Sequence, residues 1–166
     1  MTNSKDEIGT FEPIAIVGLG AILPDAPDVS TFWKNVISGE VSIRNLPKDR
    51  WRSEDHWEAG GPKNISEGKT YSKIGAWVHE YEFDWKRWRI PPGSLPQIDL
   101  CQQWAVSVSA AALEDAGYLG DGATSNLPRE KTGVVFANAL GGENRTRSTE
   151  RVLIDRYQRH AKEAGI

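Results

Sequence analysis

Residues 13–21, PIAIVGLGA, give the clearest indication of the fold class. Its apolar residues occupy both alternating faces and several are β-branched, which is typical of a strand buried on both sides. Gly18 and Gly20 mark positions where the backbone bends or another part of the chain approaches it closely. Residues 13–21 therefore predict the first strand of a layered α/β sheet.

An amphipathic helix is predicted directly after this strand. Asp28 stands where a helix N-cap is expected, and Gly39 stands where the helix should end. Apolar residues recur between them at steps of three and four: Val29, Phe32, Trp33, Val36 and Ile37. Strand, turn and amphipathic helix form the opening of an α/β unit.

Residues 41–92 have no regular period and carry five of the seven tryptophans: Trp51, Trp57, Trp77, Trp85 and Trp88. Because basic residues lie between these rings, they could form a stacking platform for nucleic acid or sugars. The segment is also rich in acidic residues, and large rings commonly pin an irregular loop to a core. We therefore expect a long, ordered surface excursion and no nucleic-acid partner.

Two further helices and a second strand are predicted. The first helix runs from about Leu95 to Ala116 and stops at Gly117, and its alanines at 110–112 allow another element to approach closely. Residues 131–138, KTGVVFAN, predict a second buried strand. A final amphipathic helix is predicted from Asn144 to Ala164. Its apolar face would carry Leu153, Tyr157, His160, Ala161 and Ala164.

The composition indicates an ordinary globular protein of about one domain, or a piece of a larger one. The 166 residues are 39% hydrophobic with a net charge of -3, too small to point to a polyanionic partner. No apolar run approaches the roughly 20 residues of a membrane-spanning helix. Residues 1–12 read as a flexible leader without a secretory signal, so we expect a cytoplasmic protein with no membrane partner.

The spacing of residues in the sequence does not indicate a set of catalytic side chains. Gly18 and Gly20 match a dinucleotide-binding fingerprint only weakly. The single cysteine, Cys101, excludes a Cys-rich zinc site and falls on the apolar stripe of a helix, where an inert thiol is expected. The three histidines, His56, His79 and His160, lie far apart in sequence. We therefore expect no metal and no cofactor.

Several short motifs resemble a known family in order and spacing. The chain resembles the N-terminal part of β-ketoacyl synthases from polyketide and polyunsaturated fatty acid synthases. The matching stretches are 13–21, 23–26 (LPDA), 32–33 (FW), 46–51 (LPKDRW), 83–84 (FD), 89–92 (RIPP), 97–99 (QID), 111–118 (AALEDAGY) and 131–136 (KTGVVF).

Details of these motifs favour one subtype of the family. RIPP followed by QID is closer to the polyunsaturated fatty acid and enediyne type than to the common Met-Asp-Pro-Gln form. The sequence departs from the family pattern at Leu100, where a proline is usual, and at Ile74-Gly75, where many members have two glycines.

The resemblance implies an α/β fold of the thiolase-like kind, with five layers in the order αβαβα built from two similar halves. Members act as homodimers or pseudo-dimers. The chain would form an incomplete first half, with residues 13–166 as the N-terminal portion of the domain, truncated before the catalytic cysteine motif.

The resemblance also implies where the chemistry lies. In complete members a cysteine accepts the acyl chain as a thioester, and two histidines assist decarboxylation of a malonyl thioester. None of these motifs occurs here, so no catalytic residue is assigned and the nucleophile is expected beyond Ile166. Leu140, Gly141 and Gly142 resemble a loop whose apolar residue lines the acyl pocket, although a plain structural turn is equally compatible with them.

Two functions remain open at this point. The intact parent could be a condensing enzyme with an acyl carrier protein as its partner, of which the fragment alone would be inactive. Alternatively, the chain could be a non-catalytic homologue that pairs with a ketosynthase or regulates a megasynthase. Whether the chain itself is an enzyme is left open.

Overall fold

The computed structural model describes residues 12–48, 52–139 and 142–165. Four α-helices are present in these ranges: α1 (Val29–Ser38), α2 (Ser53–His56), α3 (Leu100–Asp115) and α4 (Glu143–Glu163). Two short strands, β1 (Arg44–Asn45) and β2 (Ile74–Gly75), pair antiparallel, with Arg44 opposite Gly75. Single 3₁₀ segments span Pro92–Gln97 and Arg129–Lys131.

Helix α1 has the ends that the sequence predicts. The Asp28 carboxylate accepts a hydrogen bond of 2.7 Å from the Thr31 N–H and so caps the first turn. Gly39 adopts the left-handed conformation, with a φ of 69°. The Glu40 N–H then closes the helix on the Asn35 carbonyl at 2.9 Å. Both predicted ends are confirmed.

Helix α3 begins five residues later than expected. Pro92–Gln97 forms a 3₁₀ segment instead, with Pro96 inside it, and Asp99 caps the helix that starts at Leu100. The predicted stop is confirmed, because Gly117 has a φ of 75° and the Tyr118 N–H donates to the Leu113 carbonyl at 2.8 Å.

The small-residue face of α3 lies against the glycines of residues 13–21. A Cβ placed on Gly18 would lie 2.8 Å from the Ala116 Cβ, and one on Gly20 would lie 2.8 Å from the Ala112 nitrogen. The Leu19 N–H donates to the Asp115 carboxylate at 2.8 Å. The close approach predicted at both glycines and at the alanines is therefore confirmed.

The two predicted buried strands are wrong for the described structure. Neither 13–21 nor 131–138 pairs with another described segment in a strand ladder, and their apolar side chains face outward. Ile14 is 95% exposed and Val135 is 94% exposed. A strand requires a neighbour to complete its hydrogen bonds, and the only described sheet is the short β1–β2 pair.

The final helix is confirmed, but its predicted apolar face is mostly uncovered. α4 spans Glu143–Glu163, close to the expected bounds. Leu153 and Ala161 are half-buried, whereas Tyr157 and His160 are exposed. Most of the length of α4 is therefore exposed.

Much apolar surface remains open. Several large apolar side chains of the described residues are more than half exposed, among them Trp33, Val41 and Phe136. Among the described residues, Ala26 and Ala110 are the buried apolar ones. Within the same residues, no helix combines the length and apolarity needed to cross a bilayer.

Candidate functional site

Of the three predicted acyl-pocket residues, the structure describes Gly142; Leu140 and Gly141 lie outside the described residues. Gly142 is half-buried, has a φ of 84° and directly precedes α4. A Cβ at this position would lie closer than 3.0 Å to the carboxylate of Asp99. Glycine is therefore required by the backbone conformation and also by the neighbouring carboxylate.

Asp99 joins the beginnings of two helices. One carboxylate oxygen accepts the Cys101 N–H at 3.1 Å in the first turn of α3. The other accepts the Asn144 N–H at 2.7 Å in the first turn of α4, although the two residues are 45 positions apart. A single side chain thus satisfies backbone donors that both helix starts leave open.

The segment that carries Asp99 is held on both sides. The Gln102 side chain accepts the Asp99 N–H at 3.0 Å and completes a capping box. The Asn144 side chain donates to the Gln97 carbonyl at 3.2 Å, beside its backbone contact with Asp99. We call Gln97, Asp99, Gly142 and Asn144 the helix junction.

The helix junction stabilises a negative charge. Asp99 is 8% exposed, the one buried charged residue of the described chain. The Asn144 N–H, followed by the Cys101 N–H, lowers the pKa of Asp99 below its ordinary value of 3.8. The positive ends of two helix dipoles act in the same direction. The carboxylate is therefore ionised at neutral pH.

Cys101 lies beside this charge and is a poor nucleophile for that reason. The Asp99 carboxylate and partial burial raise the pKa of the half-buried thiol above its ordinary value of 9.0. A nucleophilic cysteine needs the opposite, a positive neighbour that favours the thiolate. The environment of Cys101 agrees with the inert thiol expected from its helical position.

The other titratable candidates do not come together. His160 contacts Glu163 on its own helix at 3.4 Å, and His56 and His79 belong to the segment before α3. Across the described ranges, no group of three or more histidine, cysteine or carboxylate side chains could hold a metal ion.

Rings of the tryptophan-rich segment make contacts within the fold. The Trp57 indole N–H donates to the Tyr71 carbonyl at 3.0 Å, and the Lys73 ammonium lies 4.1 Å from the ring centroid. Tyr81 meets Trp104 of α3 edge to face at 6.0 Å. The Tyr81–Trp104 contact pins the excursion to α3, and the two Trp57 contacts hold the excursion together. Both roles favour a structural function of these rings over a platform for a ligand.

A separate cavity of about 870 Å³ lies between this excursion and α3. The Arg44–Asp25 ion pair, at 2.9 Å, is on its wall. The hydroxyls of Tyr81 and Ser107 are 2.9 Å apart on the same wall. Gly142 is not among its described lining residues, so the cavity and the helix junction are distinct features.

Comparison with known proteins connects these features to a family. The profile of the family described as "Beta-ketoacyl synthase, N-terminal domain" matches residues 11–164. The chain belongs to this family. The resemblance drawn from the short motifs is thus confirmed over nearly the whole chain.

Individual relatives named as polyketide synthases agree with the profile. The chain is 33% identical over 141 residues to polyketide synthase ThaG of Burkholderia thailandensis, covering 84% of the chain. It is 35% identical over 132 residues to polyketide synthase PksN of Bacillus subtilis, covering 79%. It is 28% identical over 142 residues to the non-reducing polyketide synthase pgmA of Aspergillus terreus, covering 85%.

A solved ketosynthase supports the fold. The oxazolomycin ketosynthase domain OzmH KS7 of Streptomyces albus JA3453 superposes with a TM-score of 0.54 at 30% identity, over 61% of this chain. The fold is therefore a partial α/β structure of the thiolase-like kind, as expected. The chain spans 17% of that solved chain, 2% of ThaG and PksN, and 6% of pgmA.

The helix junction was not predicted as a site. The QID motif at 97–99 is notable in the sequence only through the family resemblance. A local signal was available, since Asp99 is followed three residues later by Gln102, the spacing of a capping box. No local signal points to Asn144.

Proposed function

We propose that the chain forms the N-terminal portion of a ketosynthase domain whose intact parent makes carbon–carbon bonds in polyketide or fatty acid biosynthesis. Residues 13–166 would belong to the domain and residues 1–12 to a leader. The observation that carries the proposal is the family match across residues 11–164. Relatives named as polyketide synthases favour the polyketide branch.

The proposed reaction is a decarboxylative Claisen condensation. A cysteine of the parent holds the acyl chain as a thioester, and malonyl on an acyl carrier protein loses CO₂ to leave an enolate. The enolate carbon attacks the acyl carbonyl, a carbon–carbon bond forms, and the cysteine leaves as a thiolate. The cysteine and its two histidine partners would lie beyond residue 166.

Within this scheme the chain supplies a wall of the acyl pocket. Leu140, Gly141 and Gly142 would line the pocket near the dimer interface. The position of Gly142 supports this assignment because its backbone is fixed between α3 and α4 at the helix junction. A fixed wall is what a site needs to orient an acyl chain.

The uncovered apolar surface supports a role inside a larger domain. Residues of both predicted strands are exposed, including Ile16 at 81% and Val134 at 72%. Exposed apolar segments of this kind require a covering partner in water. Further layers of the same ketosynthase domain would provide it, and homodimer or pseudo-dimer formation would complete the assembly in the cytoplasm.

A second candidate function rests on the same surface. A separate ketosynthase or megasynthase chain could cover the exposed segments instead, which would make this chain a non-catalytic pairing or regulatory subunit. The two candidates differ in where the covering residues come from, in the same polypeptide or in a different one.

Two measurements on the native polypeptide from its source test the proposal. Its intact mass is expected to lie far above the 18.4 kDa of this chain. The purified polypeptide is expected to condense an acyl thioester with malonyl-acyl carrier protein and to release CO₂. A mass of 18.4 kDa together with a stable complex with a separate ketosynthase would support the pairing subunit and contradict the enzyme.

A further inference from the structure

An exposed loop after α3 carries a residue pair that can modify itself chemically. Asp121 is followed by Gly122, the one position in the 166 residues at which an aspartate or asparagine precedes a glycine. Both residues are exposed. The Ala123 N–H donates to the Gly120 carbonyl at 3.1 Å, so this pair forms the centre of a β-turn.

The reacting groups of this pair are free. Within the part of the chain that the structure describes, the Gly122 N–H donates to no acceptor, and the Asp121 carboxylate has no hydrogen-bond or ion-pair partner. Aspartate side chains readily turn back towards the backbone that follows them. The Gly122 nitrogen and the side-chain carboxyl carbon of Asp121 can therefore approach one another without breaking a contact of the fold.

Asp115 and Ala116 at the end of α3 form the contrasting pair. The Asp115 carboxylate accepts the Leu19 N–H at 2.8 Å. The Ala116 N–H donates to the Ala112 carbonyl at 3.0 Å. Both groups that would have to react are thus engaged, and the helical backbone holds them apart.

We propose that Asp121 is a site of spontaneous isoaspartate formation, with water as the only co-reactant. After the carboxylate takes up a proton, the Gly122 nitrogen attacks the side-chain carboxyl carbon, and the hydroxyl leaves with the amide hydrogen as water. The product is a cyclic imide. A second water then adds to the main-chain carbonyl of Asp121 and breaks its bond to the Gly122 nitrogen, which takes up a proton. The chain now continues through the side-chain carbon, and residue 121 keeps a free α-carboxylate.

Isoaspartate would weaken the attachment of the loop to α3. The modification adds one carbon atom to the main chain inside the turn that the bond between Ala123 and Gly120 closes. Directly after this turn, the Thr124 and Ser125 N–H groups both donate to the Gly117 carbonyl, at 2.9 and 3.2 Å. A longer main chain displaces these donors, so local opening of the loop should become easier.

The test incubates the native full-length polypeptide in water labelled with heavy oxygen, followed by digestion in ordinary water and mass spectrometry. Every opening of the imide, to aspartate or to isoaspartate, leaves one labelled oxygen on residue 121. We expect the label and isoaspartate, identified by electron-transfer fragmentation, to accumulate at Asp121 and not at Asp115. Incubation continues until a free peptide of residues 117–125 is labelled, so an unlabelled Asp121 in the protein would overturn the proposal.

Gly122→Ala is the matched variant. A Cβ on Gly122 would meet no atom within 4 Å, and its φ lies outside the left-handed region, so the variant should fold like the wild type. The added methyl group hinders the approach of the nitrogen to the Asp121 side chain, since glycine alone leaves the backbone unrestricted at this point. Labelling of Asp121 should therefore fall well below the wild-type rate. Equal labelling in the two proteins would overturn the proposed route through Gly122.

Hydrogen exchange tests the structural consequence. Exchange of the Thr124 and Ser125 amides should be faster in the aged wild type than in the fresh protein, and unchanged in aged Gly122→Ala. Equal exchange in fresh and aged wild type, with isoaspartate present, would overturn the predicted loosening of the loop. None of these readouts depends on condensing activity, so they decide this inference whether or not the proposed function holds.

Discussion

The backbone of Gly18 lies against the carbonyl oxygen of Ala112, so closely that a Cβ on Gly18 would approach this oxygen to less than 3.0 Å. The contact joins the apolar stretch that opens the fold to the middle of α3. Backbone atoms cannot swing aside as a flexible side chain can, so this packing depends on glycine.

Gly18→Ala should therefore destabilise the domain. Overpacking of this kind costs about 1–3 kcal/mol. The measurement is urea-dependent proteolysis of the intact protein, with peptides from residues 12–139 followed by mass spectrometry. The urea concentration at which half of the protein is cleaved should be lower for Gly18→Ala than for the wild type.

Gly122→Ala serves as the control for this substitution. Gly122 lies in the exposed loop after α3, and a Cβ there would meet no atom within 4 Å. Its midpoint should stay close to that of the wild type. Equal losses in the two variants would show that the contact between Gly18 and Ala112 does not govern stability.

The ionised Asp99 predicts a pH dependence with a defined sign. Its pKa is lower in the folded chain than its ordinary value of 3.8. Its stabilisation is therefore present above the ordinary value and is lost as the pH falls through the lower, folded value. The difference in urea midpoint between the wild type and Asp99→Asn should be large at neutral pH and shrink below about pH 4.

The opposite pH dependence would contradict this prediction. A difference between the wild type and Asp99→Asn that stays constant or grows on acidification would mean that the Asp99 charge is not stabilised by the folded chain. The pKa of Asp28 is also lowered by the Thr31 backbone N–H, and that of Glu58 by the side chain and then the backbone N–H of Ser66. Both carboxylates remain present in both proteins and cancel in the comparison.

Cys101 should react slowly with alkylating agents, since the neighbouring carboxylate raises its pKa. Asp99→Asn removes the negative charge beside the thiol. The midpoint of the rate-against-pH curve for iodoacetamide, followed on the Cys101 peptide, should therefore move to lower pH. A faster reaction with an unmoved midpoint would indicate greater exposure of the thiol, without an electrostatic effect of Asp99.

Trp57 is expected to stabilise the excursion internally through two separable contacts, both with residues of the excursion itself. Trp57→Phe keeps a ring for Lys73 but loses the indole N–H bond to Tyr71, a cost of about 1 kcal/mol. Trp57→Leu loses both contacts and should lower the free energy of unfolding by a further ~0.5–1 kcal/mol. The urea concentration at the unfolding midpoint should be lower for Trp57→Leu than for Trp57→Phe. Equal midpoints for the two variants would show that the cation–π contact does not contribute to stability.

Local elements of this fold could be predicted well from sequence. The ends of α1 depend on Asp28 and Gly39, whose effects act within one helical turn, and both were predicted correctly. The stop of α3 at Gly117 is local in the same sense. The start of α3 was predicted less accurately, because residues 92–97, which include Pro96, form a 3₁₀ segment where the α-helix was expected to begin.

Long-range features could not be predicted in the same way. The apolar pattern of residues 131–138 describes a segment suited to a sheet, but whether a ladder forms depends on neighbours far along the chain. The bond from Asn144 to Asp99 likewise joins residues 45 positions apart. The predicted pocket residue Gly142 was identified by resemblance, and its dependence on Asp99 became visible only in three dimensions.

Whether Cys101 or a cysteine outside residues 1–166 carries the acyl group can be measured on the native polypeptide. The polypeptide is incubated with an acyl thioester donor, trapped before condensation and mapped by peptide mass spectrometry. We expect the acyl group on a cysteine outside residues 1–166, with Cys101→Ala acylated as fully as the wild type despite a packing cost of about 1–2 kcal/mol. An acyl group on Cys101, lost in a folded Cys101→Ala protein, would contradict the account.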